Sequence, residues 1–101
     1  FIATYSSLRT LGTEDDIIKL KDLVRDKYPV IYNLVQCESS WNPNAIGKAG
    51  EVGLAQYKPK TWKAFKVLLG FEGDINNPQD QIEMTYRALE AGLSSHWSCL
   101  N

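Results

Sequence analysis

Residues 37–45 read C-E-S-S-W-N-P-N-A and place a single carboxylate, Glu38, in a long neutral stretch. The nearest charged residues along the chain are Lys27 upstream and Lys48 downstream. Apolar neighbours solvate a carboxylate poorly, and poor solvation raises its pKa because the ionised form is the one that depends on water. The stretch therefore makes Glu38 a candidate proton donor, and the segments on either side of it decide the fold.

The segment before Glu38, V-I-Y-N-L-V-Q-C at 30–37, is apolar almost all round. Its valine, isoleucine and tyrosine residues favour a strand, whereas Pro29 equally suits the first position of a helix. Periodicity does not decide between the two. If residues 29–39 form a helix, Glu38 lies at its C-terminal end, where the helix dipole further disfavours the ionised carboxylate.

Capping residues and helical spacing predict three further helices. Thr13 is a good N-cap for the first, and Asp16 can close a capping box with it. Pro59 begins another helix, and the pair Asn77 and Pro78 begins the last. The predicted inward faces are Ile17, Leu20, Val24 and Tyr28 in the first helix, Trp62, Phe65 and Leu69 in the next, and Ile82, Tyr86, Leu89 and Leu93 in the last.

The remaining segments lack a helical period. Residues 42–53 are rich in asparagine, proline and glycine, which predicts a loop or a small hairpin after the second helix. Residues 1–12 show no clear period, and we expect irregular structure or a short helical turn packed on the domain. The whole pattern predicts a mainly α-helical fold of about four helices with one small β or loop excursion.

Length and charge restrict the class of protein. The 101 residues predict one domain, 1–101. Lysine and arginine number 11 against 12 acidic residues, so the net charge of −1 lacks the basic excess of nucleic-acid-binding proteins. No apolar run approaches the roughly 18 residues that a membrane span needs. The chain begins with Phe1 and shows no signal peptide, so we interpret it as a mature or trimmed domain.

Two cysteines, Cys37 and Cys99, lie far apart in the chain without the histidine cluster or C-x-x-C spacing of a zinc site. A disulfide between them requires Cα atoms within about 7 Å, and it would imply an extracytoplasmic setting. Two unrelated buried thiols are the alternative. The common nucleotide- and metal-binding motifs are absent, and we expect neither a cofactor nor a metal.

Few other charged or titratable residues stand out. Glu51 lies in the glycine-rich stretch A-G-E-V-G, where a loop could bring a second carboxylate across a cleft from Glu38; an exposed loop glutamate is the alternative. His96, the single histidine, is interpreted as a capping or surface residue rather than part of a Ser-His-Asp triad. A solvated helix face is the interpretation for Lys58, Lys60, Lys63 and Lys66.

Several motifs occur together and in order. They are E-S-S-W-N-P-N-A at 38–45, G-L-A-Q at 53–56, K-P-K-T-W at 58–62 and N-P at 77–78. The combination resembles the lytic transglycosylase family with a soluble-lytic-transglycosylase-type, lysozyme-like catalytic domain, over roughly residues 30–90. This resemblance implies a buried helix for 30–37 and an α+β lysozyme-like fold, with about four helices around a substrate cleft.

The resemblance also implies roles for individual residues. Glu38 corresponds to the family's catalytic glutamate, Ser39 lies near the sugar subsites, and Gln56 faces the glycan. The implied substrate is the glycan strand of peptidoglycan. Its cleavage after N-acetylmuramic acid, without water, leaves a 1,6-anhydro end. We therefore expect a monomer that acts outside the cytoplasm, secreted, periplasmic or associated with the cell wall, or that a phage encodes.

The sequence departs from the family where larger members carry an A-Y-N motif. Residues 94–101 read S-S-H-W-S-C-L-N instead, so the subsite wall from that motif needs a substitute. Stacking of Tyr57, Tyr86 or Trp97 on a sugar could supply it, and core packing is the alternative for each. Trp41 is interpreted as a core residue.

Two other functions stay open. A hydrolytic muramidase would pair Glu38 with a second carboxylate, for which Glu51 is the first candidate and Asp74 a distant second. A cell-wall-binding domain that cleaves poorly is the other alternative, because the altered C-terminal region could weaken catalysis. The presence of Glu38, Ser39 and Gln56 together argues against that last possibility.

Overall fold

The computed structural model describes residues 14–100, and this part of the chain is mainly α-helical, as predicted. Its α-helices are α1 (Glu14–Lys27), α2 (Pro29–Ser39), α3 (Pro59–Leu69) and α4 (Pro78–Glu90). Two short 3-10 helices follow, at Ser94–His96 and Ser98–Leu100. The expectations for residues 1–12 and for Thr13 as an N-cap fall outside the described residues. None of the helices within residues 14–100 combines the length and apolar character that crossing a membrane demands.

Helix α1 packs its predicted face against α2. Leu20 and Val24 are buried, and Ile17 and Tyr28 pack partly buried against the same core. Three acidic residues occupy its first turn and two basic residues its last, which suits the helix dipole at both ends. Only Tyr28 separates α1 from α2, because Pro29 stands at the start of the second helix, where its missing N–H costs nothing.

Residues 30–37, for which the sequence allowed either a strand or a helix, are helical and belong to α2. Ile31, Leu34 and Val35 are its buried residues, at helical spacing. The helix ends abruptly because Ser40 and Trp41 both adopt left-handed backbone angles, with φ of 52° and 61°. Two successive left-handed residues turn the chain away from the axis of α2, so the helix stops directly after its last turn.

The excursion between α2 and α3 is a compact loop rather than a sheet. Its β structure consists of isolated antiparallel bridges, from Val52 to Ile46 on one side and to Tyr57 on the other. Gly53 has φ of +82° and lies so close to the amide of Gln81 that a side chain would clash there. The loop is therefore pressed onto α4, and that contact fixes its position beside the end of α2.

Helices α3 and α4 begin where the sequence predicts, but α4 ends at Glu90, so the predicted inward residue Leu93 lies beyond the helix. Pro59 and Pro78 each occupy the first helical turn, and the side chain of Asn77 accepts a hydrogen bond from the Asp80 N–H at 3.1 Å. Gly70 closes α3 in the left-handed conformation. Tyr86 differs from the prediction, because 36% of it is exposed while its α4 neighbours are mostly buried.

The core surrounds α4 and the G-L-A-Q segment. Each of three buried tryptophans donates its indole N–H to a backbone carbonyl, so their rings are fixed in place as well as buried. The pairs are Trp41 with Tyr32, Trp62 with Gly73, and Trp97 with Ala55. The last pair holds the C-terminal segment against the loop that faces the end of α2.

Candidate active site

Glu38 lies in the last turn of α2, half-buried, in the wall of a polar cavity of about 280 Å³. We call this space the Glu38 cavity. Its lining residues are Glu38, Glu51, Gln56, Lys58, Thr61, His96, Trp97 and Ser98. They come from the end of α2, the loop, the start of α3 and the C-terminal 3-10 segment. The structure therefore brings Glu38, Glu51 and Gln56 to one cavity, which favours the cleft position over the exposed-loop alternative for Glu51.

The environment of Glu38 favours the protonated acid. Burial is the largest influence and raises its pKa above the ordinary value of 4.5. The negative charge of Glu51 raises the pKa further, while a hydrogen bond from the backbone N–H of Cys99 opposes both effects. The balance leaves the pKa of Glu38 raised, which is the property that a general acid needs near neutral pH.

The environment of Glu51, in contrast, favours the ionised carboxylate. Its carboxylate accepts hydrogen bonds from its own backbone N–H and from that of Ala49, the latter at 2.9 Å, and these lower its pKa. The nearby ammonium of Lys58 lowers it as well. One carboxylate of the cavity therefore favours the acid form and the other the ionised form. An environment that separates two carboxyl groups in this way is a common basis for assigning acid and base roles.

Gln56 is held by the loop it belongs to. Its backbone is left-handed, with φ of 54°, and its side-chain N–H₂ donates to the carbonyls of Gly53 at 2.8 Å and Ala45 at 3.2 Å. A side chain at Gly47 would collide with the carboxylate of Glu51 and lie 2.8 Å from the Gln56 oxygen. The absence of a Cβ at position 47 thus makes room for both polar groups.

Ser39 contacts the protein rather than the Glu38 cavity. Its hydroxyl donates to the Leu54 carbonyl at 2.8 Å and lies 3.3 Å from the Val35 carbonyl. The first bond joins the end of α2 directly to the G-L-A-Q segment. Ser39 therefore fixes the two sides of the cavity relative to each other. The resemblance places it near the sugar subsites, and in the structure it lies beside the Glu38 cavity rather than in its lining.

The three aromatic candidates for sugar stacking have different positions. Tyr57 is completely buried, and its hydroxyl bonds the Thr85 hydroxyl at 2.9 Å, so no ring face is open to a sugar. Of the two roles left open for Tyr57, the structure favours core packing over the substrate contact. Trp97 is 1% exposed but borders the Glu38 cavity. Trp41 is a core residue, in agreement with its interpretation from the sequence.

Tyr86 lies at a separate apolar cavity of about 530 Å³ that shares no lining residue with the Glu38 cavity. Its ring packs edge-on against Tyr28, with centroids 5.2 Å apart. Asp74 does not line either cavity; its carboxylate accepts the N–H of Asn76 within its own turn. Neither Tyr86 nor Asp74 is placed to contact a substrate at Glu38.

Sequence reasoning missed several lining residues, of which His96 is the most informative. Its ring stacks on Tyr57 at 5.7 Å and 19°, with Trp97 edge-on to it at 4.7 Å. Burial lowers its pKa, and the charge of Lys58 lowers it further, so the neutral imidazole is favoured. The only signal in the sequence was its position three residues before Cys99, which places it beside α2 if the cysteines pair.

The cysteines do pair. Cys37 and Cys99 form a disulfide with Cα atoms 6.1 Å apart, as the sequence predicted. The bond joins the residue before Glu38 to the 3-10 helix Ser98–Leu100, which begins with the cavity-lining Ser98 and follows His96 and Trp97. Within residues 14–100 no three side chains are grouped in a way that would hold a metal ion.

A family model described as "Transglycosylase SLT domain" matches residues 17–96 of the chain. The matched region contains α2 with Glu38, the loop with Glu51 and Gln56, and helices α3 and α4. Searches of curated proteins and of solved structures gave no match. The family match covers most of the chain and agrees with the helical architecture and with the motifs around Glu38. The chain therefore belongs to the transglycosylase SLT domain family, whose lysozyme-like, mainly α-helical domains act on the peptidoglycan of the cell wall.

Proposed function

We propose that this protein is a peptidoglycan lytic transglycosylase with Glu38 as its sole acid and base. It would cleave the bond between N-acetylmuramic acid and N-acetylglucosamine and leave a 1,6-anhydro end. The observation that carries the proposal is the position of Glu38, half-buried in the wall of a polar cavity with its pKa raised. Family membership supports peptidoglycan as the substrate.

In the first step the protonated Glu38 gives its proton to the glycosidic oxygen. The bond from that oxygen to the anomeric carbon of N-acetylmuramic acid breaks, and the N-acetylglucosamine part leaves as an alcohol. An oxocarbenium-like centre develops on the muramic acid ring. Burial of Glu38 assists this step because it keeps the carboxyl group protonated, and so able to act as the acid, until the substrate is bound.

In the second step the ionised Glu38 removes the proton of the sugar's own C6 hydroxyl. The freed oxygen bonds to the anomeric carbon and closes the 1,6-anhydro ring. Glu38 ends the cycle protonated, no water is consumed, and no cofactor is required. The hydrogen bond from the Cys99 N–H stabilises the ionised intermediate form of Glu38 between the two steps. The N-acetyl group of the substrate helps to stabilise the cation.

Other residues of the cavity would bind the glycan. Gln56, Thr61 and Ser98 bring polar side chains to the lining, and sugar hydroxyls can pair with such groups. Ser39 contributes indirectly, because its hydrogen bond fixes the end of α2 on the loop. We further propose that residues 1–101 form one monomeric domain that works outside the cytoplasm, a location that the disulfide supports.

One observation favours a second candidate, a hydrolytic muramidase. Glu51 lines the same cavity as Glu38, and its pKa is lowered while that of Glu38 is raised. A glycosidase that hydrolyses its substrate uses such a pair, with the ionised carboxylate holding water or stabilising the cation. In that mechanism Glu51 would be essential, whereas in the transglycosylase mechanism its charge only contributes to the raised pKa of Glu38.

Digestion of purified peptidoglycan in H₂¹⁸O separates these functions. Muropeptides with anhydro ends and no ¹⁸O support the transglycosylase. Reducing ends that carry one ¹⁸O establish the muramidase and contradict the proposal. Retained binding to sacculi without any released product would leave a cell-wall-binding domain instead. Mass spectrometry reads all three outcomes from one digest.

Two matched variants test the residue assignment. We expect Glu38→Gln to lower the cleavage rate by roughly 10²- to 10⁴-fold, the usual contribution of a general acid, without lowering thermal stability. Glu51→Gln should keep measurable transglycosylase activity, because Glu51 has no direct step in the mechanism. A fully active Glu38→Gln protein would contradict the proposal. Loss of all activity in Glu51→Gln would favour the muramidase.

A further inference from the structure

The C-terminal segment forms one wall of the Glu38 cavity. His96, Trp97 and Ser98 are three of its eight lining residues, and they follow α4 rather than belonging to it. The family match ends at residue 96, so the contributions of Trp97, Ser98 and Cys99 lie beyond the matched region. Trp97, Ser98 and the disulfide partner Cys99 are therefore not described by the family match, whereas His96 is its last residue.

The wall is attached to the end of α2 at adjacent points. Cys99 is bonded through its sulfur to Cys37, and its backbone N–H donates to the carboxylate of the next residue, Glu38. The indole of Trp97 adds a third attachment, at 3.0 Å from the Ala55 carbonyl in the loop. A covalent bond one residue away from the hydrogen bond restricts how far the amide of Cys99 can move from Glu38.

We propose that the Cys37–Cys99 disulfide is a positioning element of the active site, which holds the Cys99 amide on the Glu38 carboxylate and keeps His96–Ser98 in place as the cavity wall. The inference rests on the proposed catalytic role of Glu38. Cys99 is a positioning residue, since it touches Glu38 and not the substrate. The oxidised protein is then the active form, and its disulfide does more than stabilise the fold.

Reduction of the Cys37–Cys99 disulfide gives a state without this attachment, with which the oxidised protein can be compared. A dithiol supplies two electrons and two protons, the Cys37–Cys99 bond becomes two thiols, and the reductant leaves as its own disulfide. The four α-helices do not depend on that bond for their contacts, because α1 packs on α2, and α3 on α4, through buried side chains. The expected result is a folded protein with a displaced wall.

A titration of the oxidised protein by NMR tests the positioning without any measurement of cleavage. The Cys99 amide proton should shift with pH as Glu38 ionises, because a hydrogen bond to a carboxylate strengthens when the proton leaves. The shift should vanish in Glu38→Gln. The other groups that face Glu38 are Glu51, Lys58 and His96, so Glu51→Gln serves to identify any effect of the neighbouring carboxylate. An amide that titrates identically in the wild type and in Glu38→Gln overturns the proposal.

Kinetics of Cys37→Ser/Cys99→Ser then test the consequence for the reaction. The measurements are made at a temperature at which circular dichroism finds the wild type and the variant equally folded. We expect kcat/KM to fall at least about 10-fold, and part of this fall should come from kcat. The fall corresponds to an increase of about 1.4 kcal/mol in the activation free energy. A dithiol should reproduce the loss in the wild type and have no effect on the variant, which is the matched control.

These experiments distinguish failure of the positioning role from failure of the proposed function. A disulfide that only stabilises the fold would leave kcat/KM of the folded variant within about 2-fold of the wild type, and that result overturns the inference. If the variant does not fold, the amide titration is repeated on the wild type after reduction by the dithiol: loss of the Cys99 shift supports the positioning role, and an unchanged shift overturns it. If the oxidised wild type does not cleave peptidoglycan, the proposed function fails, while the titration still decides whether Cys99 holds Glu38.

Discussion

The hydroxyl of Ser39 donates a 2.8 Å hydrogen bond to the carbonyl oxygen of Leu54, fifteen residues further along the chain. Ser39 follows Glu38 at the end of α2, and Leu54 belongs to the G-L-A-Q segment that also supplies Gln56. The two motifs that define the family resemblance are thus connected to each other directly. Their polar residues lie on opposite sides of one cavity because this bond and the loop contacts with α4 hold them there.

Replacement of Ser39 by alanine should loosen that connection. The Leu54 carbonyl loses its partner, so we expect a loss of about 1 kcal/mol in the free energy of unfolding and a fall of about 5 °C in Tm. Catalysis should fall more than stability predicts, since Glu38 is no longer fixed relative to the loop. Thermal unfolding and kcat/KM are measured side by side. Ser95→Ala, at an exposed position, is the control and should change neither quantity.

The pH dependence of cleavage should follow the acid form of Glu38. Because its pKa is raised, the rate should stay high above pH 4.5 and decline as pH rises through the pKa of the folded protein. Glu51→Gln removes a negative charge that raises this pKa, so the decline should move to lower pH. A pH–rate profile that is unchanged in Glu51→Gln would contradict the coupling. Asp26→Asn, exposed on α1, is the control for a change in overall charge.

Stability should change with pH in the same window. Glu38 binds its proton more tightly in the folded protein than in the unfolded chain, whose carboxyl group has a pKa near 4.5. Between the two pKa values the folded state holds more protons, so the free energy of unfolding decreases as pH rises. Urea unfolding across this range checks the sign. The decrease should be smaller in Glu38→Gln, which cannot ionise, and an equal slope would contradict the raised pKa.

Gly47 should be more important for activity than for stability. An alanine there would push against the carboxylate of Glu51 and the amide of Gln56, whose flexible ends can move away. We expect a small change in Tm with a clear loss of kcat/KM. Gly50→Ala makes a useful contrast, because that position has open space but φ of +85°, so its cost is backbone strain of about 1 kcal/mol. The reverse pattern in the two variants would contradict this assignment.

Gln81 should be one of the most sensitive core positions. It is buried in α4, its side-chain N–H₂ donates to the carbonyls of Val52 and Ile75, and its oxygen accepts the N–H of Ala55. Gln81→Leu would remove the partner of the buried Ala55 N–H and of the Ile75 carbonyl, while the Val52 carbonyl keeps its bond from the Tyr57 N–H, at a cost of roughly 2 kcal/mol or more. Urea unfolding measures the loss. Gln36→Leu, at an exposed position on α2, should have little effect.

The helices were predictable because their signals are local. Pro29, Pro59 and Pro78 stand in the first turns of three helices. The choice between strand and helix at 30–37 was not local, because the composition suits both, and only the family resemblance indicated the answer. Glu38 was identifiable from its neutral surroundings, and both the burial and the raised pKa agree with that interpretation.

The misplaced residues depend on contacts that sequence spacing does not reveal. Tyr57 lies in an irregular loop, where no period indicates which way a side chain points, and it is buried. Tyr86 has the spacing of the inward face of α4, but the neighbouring helices leave that side partly uncovered. His96 reaches the cavity because its segment packs back against the loop through Trp97 and is joined to α2 by a disulfide spanning 62 residues. Pairing of the cysteines was predicted, but its effect on the cavity wall was not.

The wide separation of Cys37 and Cys99 also orders events during synthesis. The ribosome delivers the end of α2 first, and the residues that complete the cavity follow 62 positions later. An incomplete nascent chain therefore carries the glutamate without its enclosing wall. On the proposed role of the disulfide, full cleavage activity would arise only after Cys99 has been synthesised and both thiols have been oxidised.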